Sequence, residues 1–263
     1  MADLNASNLQ SSTGKKVQAF SFGANGDQWW LTFPLKVWWA QYQGVYEASD
    51  NAKELGQGSY YDFWDFGAPE YDVDEFVNGG NVWNQKGIQV ALDTLSDLIT
   101  DHNGEYINSV DKADEIDGVA AERAFINGET AFIFVGNWIE NEMRDFMPED
   151  FTMRAMYVPT LDEAVVNPET DEPYKINNNA EMDVIFIPSE APNKELAKQF
   201  LAFITNEEML LEFTKLTGVA RPFQYDPFDV EELYADEGFT FSSYVESSLA
   251  LYTDADFNLV EYP

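Results

Sequence analysis

An α/β fold is predicted by three features of the sequence. Short apolar runs that stop at glycine or proline alternate with longer stretches whose apolar residues recur at helical spacing. Helix boundary signals sit where that alternation needs them: Gly128 after one helical stretch, Asn193 and Asn206 before two others, Gly218 after the last. Apolar residues make up 45% of 263, enough for one large domain or for two lobes with cores of their own.

Taken in order, residues 1–16 read as the end of a helix and a loop around Gly14. "KVQAFSFG", 16–23, alternates and stops at Gly23, which predicts a strand. The stretch 27–46, "DQWWLTFPLKVWWAQYQGVY", is the most aromatic, and 47–85 is loop-like, with an "NGG" turn at 78–80. Ile88, Ala91, Leu92, Leu95, Leu98 and Ile99 predict a helix, and Val119, Ala120, Ala124 and Phe125 place another at 117–127. A strand at 130–135 follows, then a helix from Trp138 through Ile139, Met143 and Phe146. "FTMRAMYVP", 151–159, reads as a strand ending at Pro159, and 160–179 as a polar connection. "MDVIFIP", 182–188, reads as a strand closed by Pro188. Asn193 caps a helix with Leu196, Ala197, Phe200, Leu201 and Ile204 on one side. Asn206 caps a last one, carrying Met209, Leu210, Phe213 and Leu216.

Charge narrows the partners. The chain has 48 acidic against 14 basic residues, a net charge of −34, and such a field repels phosphate backbones and anionic lipid. Nucleic acid is therefore not an expected partner, whereas neutral or cationic ligands are easily accepted. The absence of cysteine removes disulfides, thiolate nucleophiles and zinc–sulfur sites, and leaves the compartment open. No apolar run reaches about 18 residues, so no membrane span is read. The first twenty residues lack the apolar centre of a signal peptide, so either the protein is not exported or the start of the gene is absent.

Chemistry has little to work with. A single histidine, His102, lies at the polar end of a helix expected at 86–102 and has no partners for a triad or a metal cluster. No phosphate-binding glycine loop is present, so no cofactor is expected. Carboxylate pairs such as Asp72 with Asp74, or Glu140 with Glu142, arise by chance among so many acids, and none stands out. "DKADEIDG", 111–118, and "YTDADF", 252–257, lack the alternating ligands of a calcium loop and read as solvated loops.

The aromatic residues differ in kind. Trp29, Trp30, Phe33, Trp38 and Trp39 fall within eleven residues, and Trp38 and Trp39 suit a core. Trp29 and Trp30 instead follow the polar turn "GANGDQ". Trp138 follows Gly136 and Asn137 at the C-terminal end of a strand, where open α/β sheets place their ligand crevices. A flat apolar face beside amides and carboxylates suits a sugar, with its C–H faces and hydroxyl rim. Position alone leaves core and cleft both open.

An ordered set of motifs carries a resemblance. "GIQVALDTLSDLI" is followed by "AAERAFINGETAFIFVGNW", in which a helix, F-x-x-G-x-x-A, a strand and G-x-W succeed one another. "DFTMRAMYVPTL", "MDVIFIPSEAPNKELAKQFLAFITNEE" and "TGVARP" come after it. From about 86 to 222 the chain resembles the extracellular solute-binding proteins of sugar ABC importers, the maltose-binding-protein-like group. "GKKVQAFSFGANGDQWWLTFPL" resembles more loosely the family segment that brings an aromatic platform to the ligand. The resemblance implies a periplasmic-binding-protein-like (type II) architecture, two α/β lobes closing on a ligand. It implies a non-catalytic sugar- or oligosaccharide-binding protein that delivers to the membrane subunits of an importer. Such a protein is expected to be monomeric, and extracellular, membrane-anchored as a lipoprotein or periplasmic.

By position, the resemblance makes Trp138 the stacking aromatic of G-x-W. Trp30 becomes a second platform with Trp29 beside it, and Asn137, Asp27 and Arg221 become hydrogen-bonding neighbours. It divides the chain into 1–176 in the C-terminal lobe, 177–218 in the other lobe and 219–263 returning to the first. Family members are longer at both ends, so the first part of the N-terminal lobe and the last helices are expected to be missing. The alternatives are an extracellular glycoside hydrolase, or an accessory carbohydrate-binding domain, using an acidic pair, and an adhesive surface protein with all its tryptophans in the core.

Overall fold

The first paired strands lie far apart in the chain. β1 (Gln18–Ser21) runs parallel to β2 (Thr130–Ile133), with Gln18 opposite Thr130 and Phe20 opposite Phe132. Parallel neighbours need a crossover, and the helical stretch between them supplies it. This is a computed structural model, and it describes residues 9–26, 28–64, 81–100, 115–177, 185–221 and 223–258. The side chains of Gln28, Trp29, Trp64, Asn81, Val82, Phe257 and Asn258 lie outside that description.

Helix α1 (Thr32–Gln43) is apolar almost all round and is accordingly buried, with Phe33, Val37, Trp38, Trp39 and Ala40 in the interior. Pro34 falls in its first turn, where no intrahelical N–H bond is lost. After α2 (Asp50–Glu54) and α3 (Tyr60–Trp64) comes α4 (Lys86–Ile99), which lies against α1. The approach is close because residue 87 is glycine: a Cβ there would come within 2.6 Å of Trp39 Cδ1 and 2.9 Å of Gln43 Oε1. The Gly87 N–H donates to Gln43 Oε1 at 3.0 Å, and Trp39 Nε1 donates to Gln85 Oε1 at 2.7 Å. Tyr60 and Phe63 of α3 meet the Trp39 ring at 4.8 and 4.7 Å, completing the first core with Leu95 and Ile99.

Helix α5 (Gly118–Ile126) starts at Asp117, whose carboxylate accepts from the Ala120 N–H at 2.8 Å, and leads through Gly128 into β2. A second core forms where α6 (Ile139–Met143), α8 (Glu207–Thr217), α9 (Asp229–Leu233) and α10 (Ser243–Thr253) converge. It joins Ile139, Met143, Leu211, Val230, Tyr244 and Leu249. Helix α7 (Lys194–Ile204), by contrast, has no buried residue.

Several expectations need correction. Residues 151–159 are not a strand: among the described residues they pair with none. Their polar groups are met from the side instead. Ala155 N–H donates to Ser247 Oγ at 2.9 Å and Trp38 Nε1 donates to the Pro159 carbonyl at 2.7 Å; just beyond the run, Leu161 N–H donates to Gln41 Oε1 at 3.0 Å. The polar connection at 160–179 holds a small antiparallel hairpin, β3 (Val166–Asn167) with β4 (Glu172–Pro173). It also holds β5 (Ile176–Asn177), which runs parallel to β6 (Phe257–Asn258). The first long helix stops at Ile99 rather than 102, and the turn after Met143 tightens to a 3-10 helix over Arg144–Phe146. Asn206 caps α8 as expected, accepting from Met209 N–H at 3.0 Å, and Gly218 closes it in a left-handed conformation. Asn193 holds the equivalent place on α7 but makes no side-chain cap bond, its backbone at φ −122° and ψ 46° being outside the extended region a cap uses. Residues 185–188 have no regular structure, and 182–184, His102, Asp72, Asp74 and the turn at 78–80 lie outside the described residues.

Candidate functional site

β2 delivers the chain to Gly136 and Asn137, and Trp138 stands at the N-cap position of α6. The Trp138 backbone is fixed by that helix, because its carbonyl accepts the N–H groups of Asn141 and Glu142 at 2.9 and 3.0 Å. The side chain is partly exposed and lies on the wall of a cavity of about 720 Å³, within the range of roughly 300–1,000 Å³ usual for ligand pockets. Residues 132–138 form one side of this cavity and residues 155–161 another. Phe33 and Trp38 of α1, Asp97 of α4, and Tyr244, Tyr252 and Leu249 of α10 complete much of the lining.

Two rings hold the indole from the side. Trp30 and Phe33 each approach Trp138 with ring centroids 6.3 Å apart, at 65° and 74° between planes. Such edge-to-face geometry matches the charge distribution of the rings and contributes about 0.5–1.5 kcal/mol per pair beyond burial. Gly136 lies directly under the six-membered ring of the indole.

The polar part of the wall is short of charge. The Tyr157 hydroxyl donates to the Leu251 carbonyl at 2.9 Å, and burial pushes its pKa up to about 12, with Asp254 and Asp256 adding to the shift. Burial likewise raises the Tyr244 phenol, with Glu140 and Glu122 adding to the effect. Both phenols therefore stay neutral through the physiological range. Among the described residues on the wall, Asp97 is the one acid. The arrangement suits a neutral molecule with one flat apolar face.

The sequence-derived residues fall into four groups. Trp138 and Asn137 come together on the cavity wall, with Asn137 exposed. Trp30 adjoins them but is only 6% exposed and stands off the wall, so it backs the Trp138 ring instead of offering a face of its own. Arg221 lies further along: its guanidinium stacks over the Phe213 ring at 4.0 Å, and its carbonyl accepts from the Tyr252 hydroxyl at 3.0 Å. Asp27 and the Trp29 side chain lie outside the described residues. Sequence reasoning missed Phe33, Tyr157, Tyr244 and Tyr252. Phe33 and Tyr157 sit in aromatic or alternating runs that read as core, and the two helical tyrosines carry no local signal at all.

The acidic loop at 252–257 has a structural explanation. Asp254 pairs with Lys175 Nζ at 2.6 Å, and Asp256 accepts the Lys175 N–H at 2.9 Å, tying the loop to β5. Among the described residues no group of three or more potential metal ligands occurs, and no helix is long and apolar enough to cross a membrane.

Known proteins extend this picture. A solved Streptococcus pneumoniae solute-binding protein, in complex with the blood group A-trisaccharide, is similar over 91% of this chain at 15% identity, with a TM-score of 0.48. The match takes in 48% of that protein, so the chain spans about half the length of this solved relative. A search of curated proteins found no significant match. The family described as bacterial extracellular solute-binding protein matches residues 14–240, well over half the chain. The α/β architecture is the periplasmic-binding-protein-like one, and the chain belongs to the family of bacterial extracellular solute-binding proteins.

Proposed function

We propose that the solute is a carbohydrate, lying with a C–H face on the indole of Trp138, and that the chain binds it for delivery to an ABC importer without catalysis. The observation that carries this reading is the placement of Trp138: partly exposed on a cavity wall, at the C-terminal end of a parallel strand, braced by Trp30 and Phe33. Around it the wall offers Asn137, Asn177, Thr160 and two neutral tyrosines, which suit hydroxyl groups better than ions.

In this reading residues 1–176 and 219–263 belong to one lobe, which supplies nearly all of the wall around Trp138, and 177–218 are assigned to the other, with Asn177 reaching that wall and α8 packing in the second core beside α6 and α10. Trp30 then supports the Trp138 indole from behind. The whole protein would act outside the cytoplasm as a monomer, anchored by lipid or free in a periplasm. Scavenging asks for an affinity of about micromolar, or roughly −8 kcal/mol. One stacked aromatic with several hydrogen bonds can reach that value. Calorimetric titration with a panel of neutral oligosaccharides tests the proposal. Trp138→Ala is expected to weaken binding tenfold or more, about 1.4 kcal/mol, while the far-ultraviolet dichroism stays unchanged. Unchanged affinity would remove Trp138 from the site.

A further inference from the structure

We propose that Gly136 is the residue that sets the pose of the Trp138 indole, and so decides whether position 138 offers a usable face. The inference rests in part on the carbohydrate reading, but its geometry stands without it. A Cβ built on Gly136 would overlap Cε3, Cζ3 and Cη2 of Trp138, all on the six-membered ring. The indole is therefore seated on the bare Cα of the residue two positions earlier. It cannot settle the same way over any side chain.

Three constraints then close around the ring. The backbone of Trp138 is held by the start of α6 through its bonded carbonyl. Trp30 and Phe33 block it with edge contacts. Gly136 supports it from below. The open direction is the cavity, on whose wall Gly136, Asn137 and Trp138 all lie. An added methyl at 136 thus pushes the indole into the space a ligand would use.

Backbone conformation gives no competing reason for this glycine. Gly136 is not among the glycines with positive φ, unlike Gly128 and Gly218, so alanine can take its backbone geometry. A Gly-to-Ala change at a compatible position lowers the entropy of the unfolded chain and tends to stabilise. Position 136 needs glycine for the ring and not for the turn.

The test is a double-substitution cycle over Gly136→Ala and Trp138→Phe, read in two ways. Phenylalanine lacks the three overlapping atoms, so it should relieve the clash. The first reading is tryptophan emission and its quenching by acrylamide without ligand. Gly136→Ala is expected to shift both in the parent protein and neither in the Trp138→Phe background. The second is calorimetric affinity for neutral oligosaccharides. Gly136→Ala is expected to cost tenfold or more in the parent and less than twofold beside Trp138→Phe. Equal effects in both backgrounds, or no effect in the parent, overturn the inference. If Gly136→Ala fails to fold, refolding on adding Trp138→Phe supports it and continued misfolding overturns it. If no oligosaccharide binds the parent, the carbohydrate reading fails, and the emission result alone decides the role of Gly136.

Discussion

Two helices of this molecule carry nearly the same apolar stripe and meet opposite fates. In α4 the stripe is swallowed: Ala91, Leu95 and Ile99 are at most 8% exposed and face α1. In α7 Leu196, Phe200 and Phe203 stand 65%, 59% and 54% exposed. Spacing of apolar residues specifies which face of a helix wants a partner. It does not say that the partner lies in the same stretch of chain. α4 finds its partner through one glycine that lets Trp39 approach, together with the hydrogen bonds of Gln43 and Gln85. No comparable device appears on α7 among the described residues.

The comparison makes graded predictions. Leu95→Ala should have the largest effect, lowering the unfolding free energy by about 2–5 kcal/mol in urea titrations, since it removes buried atoms from a filled core. Smaller, and diagnostic of the caps, is the pair Asn206→Ala and Asn193→Ala. The first should cost about 1 kcal/mol through the lost bond to the Met209 N–H, and the second close to nothing. Equal losses would mean that α7 is capped as α8 is. The smallest is Phe200→Ser, which should change stability by about 0.5 kcal/mol or less in the same urea titrations. A loss comparable to that of Leu95→Ala would show that the α7 face is covered within the chain, and the contrast would collapse.

How far the sequence could be read follows the range of the interactions. Local signals were legible: Asn206 and Gly218 bound α8, Gly128 ends α5, and the strand at 130 hands over to a helix at Trp138. Pairing was not, because it depends on residues far away. The run at 151–159 alternates like a strand, yet its backbone polar groups are met by Trp38 and Ser247, both some 90 residues or more distant. At the site, Trp138 could be found from its junction, and Gly136 precedes it in the G-x-W motif. The burial of Trp30 beside them could not be read, since adjacent tryptophans look alike until the ring of Trp138 is placed against one of them.

Oxidation of tryptophans by N-bromosuccinimide, read residue by residue by peptide mass spectrometry with and without a bound oligosaccharide, tests the central claim most directly. Trp138 should react in the free protein and be protected when the sugar is bound. Trp83, exposed and away from the cavity wall, should react in both states, and Trp38 and Trp39, almost fully buried, in neither. Trp138 reacting as slowly as Trp38, or at a rate the bound sugar leaves unchanged, would contradict the account.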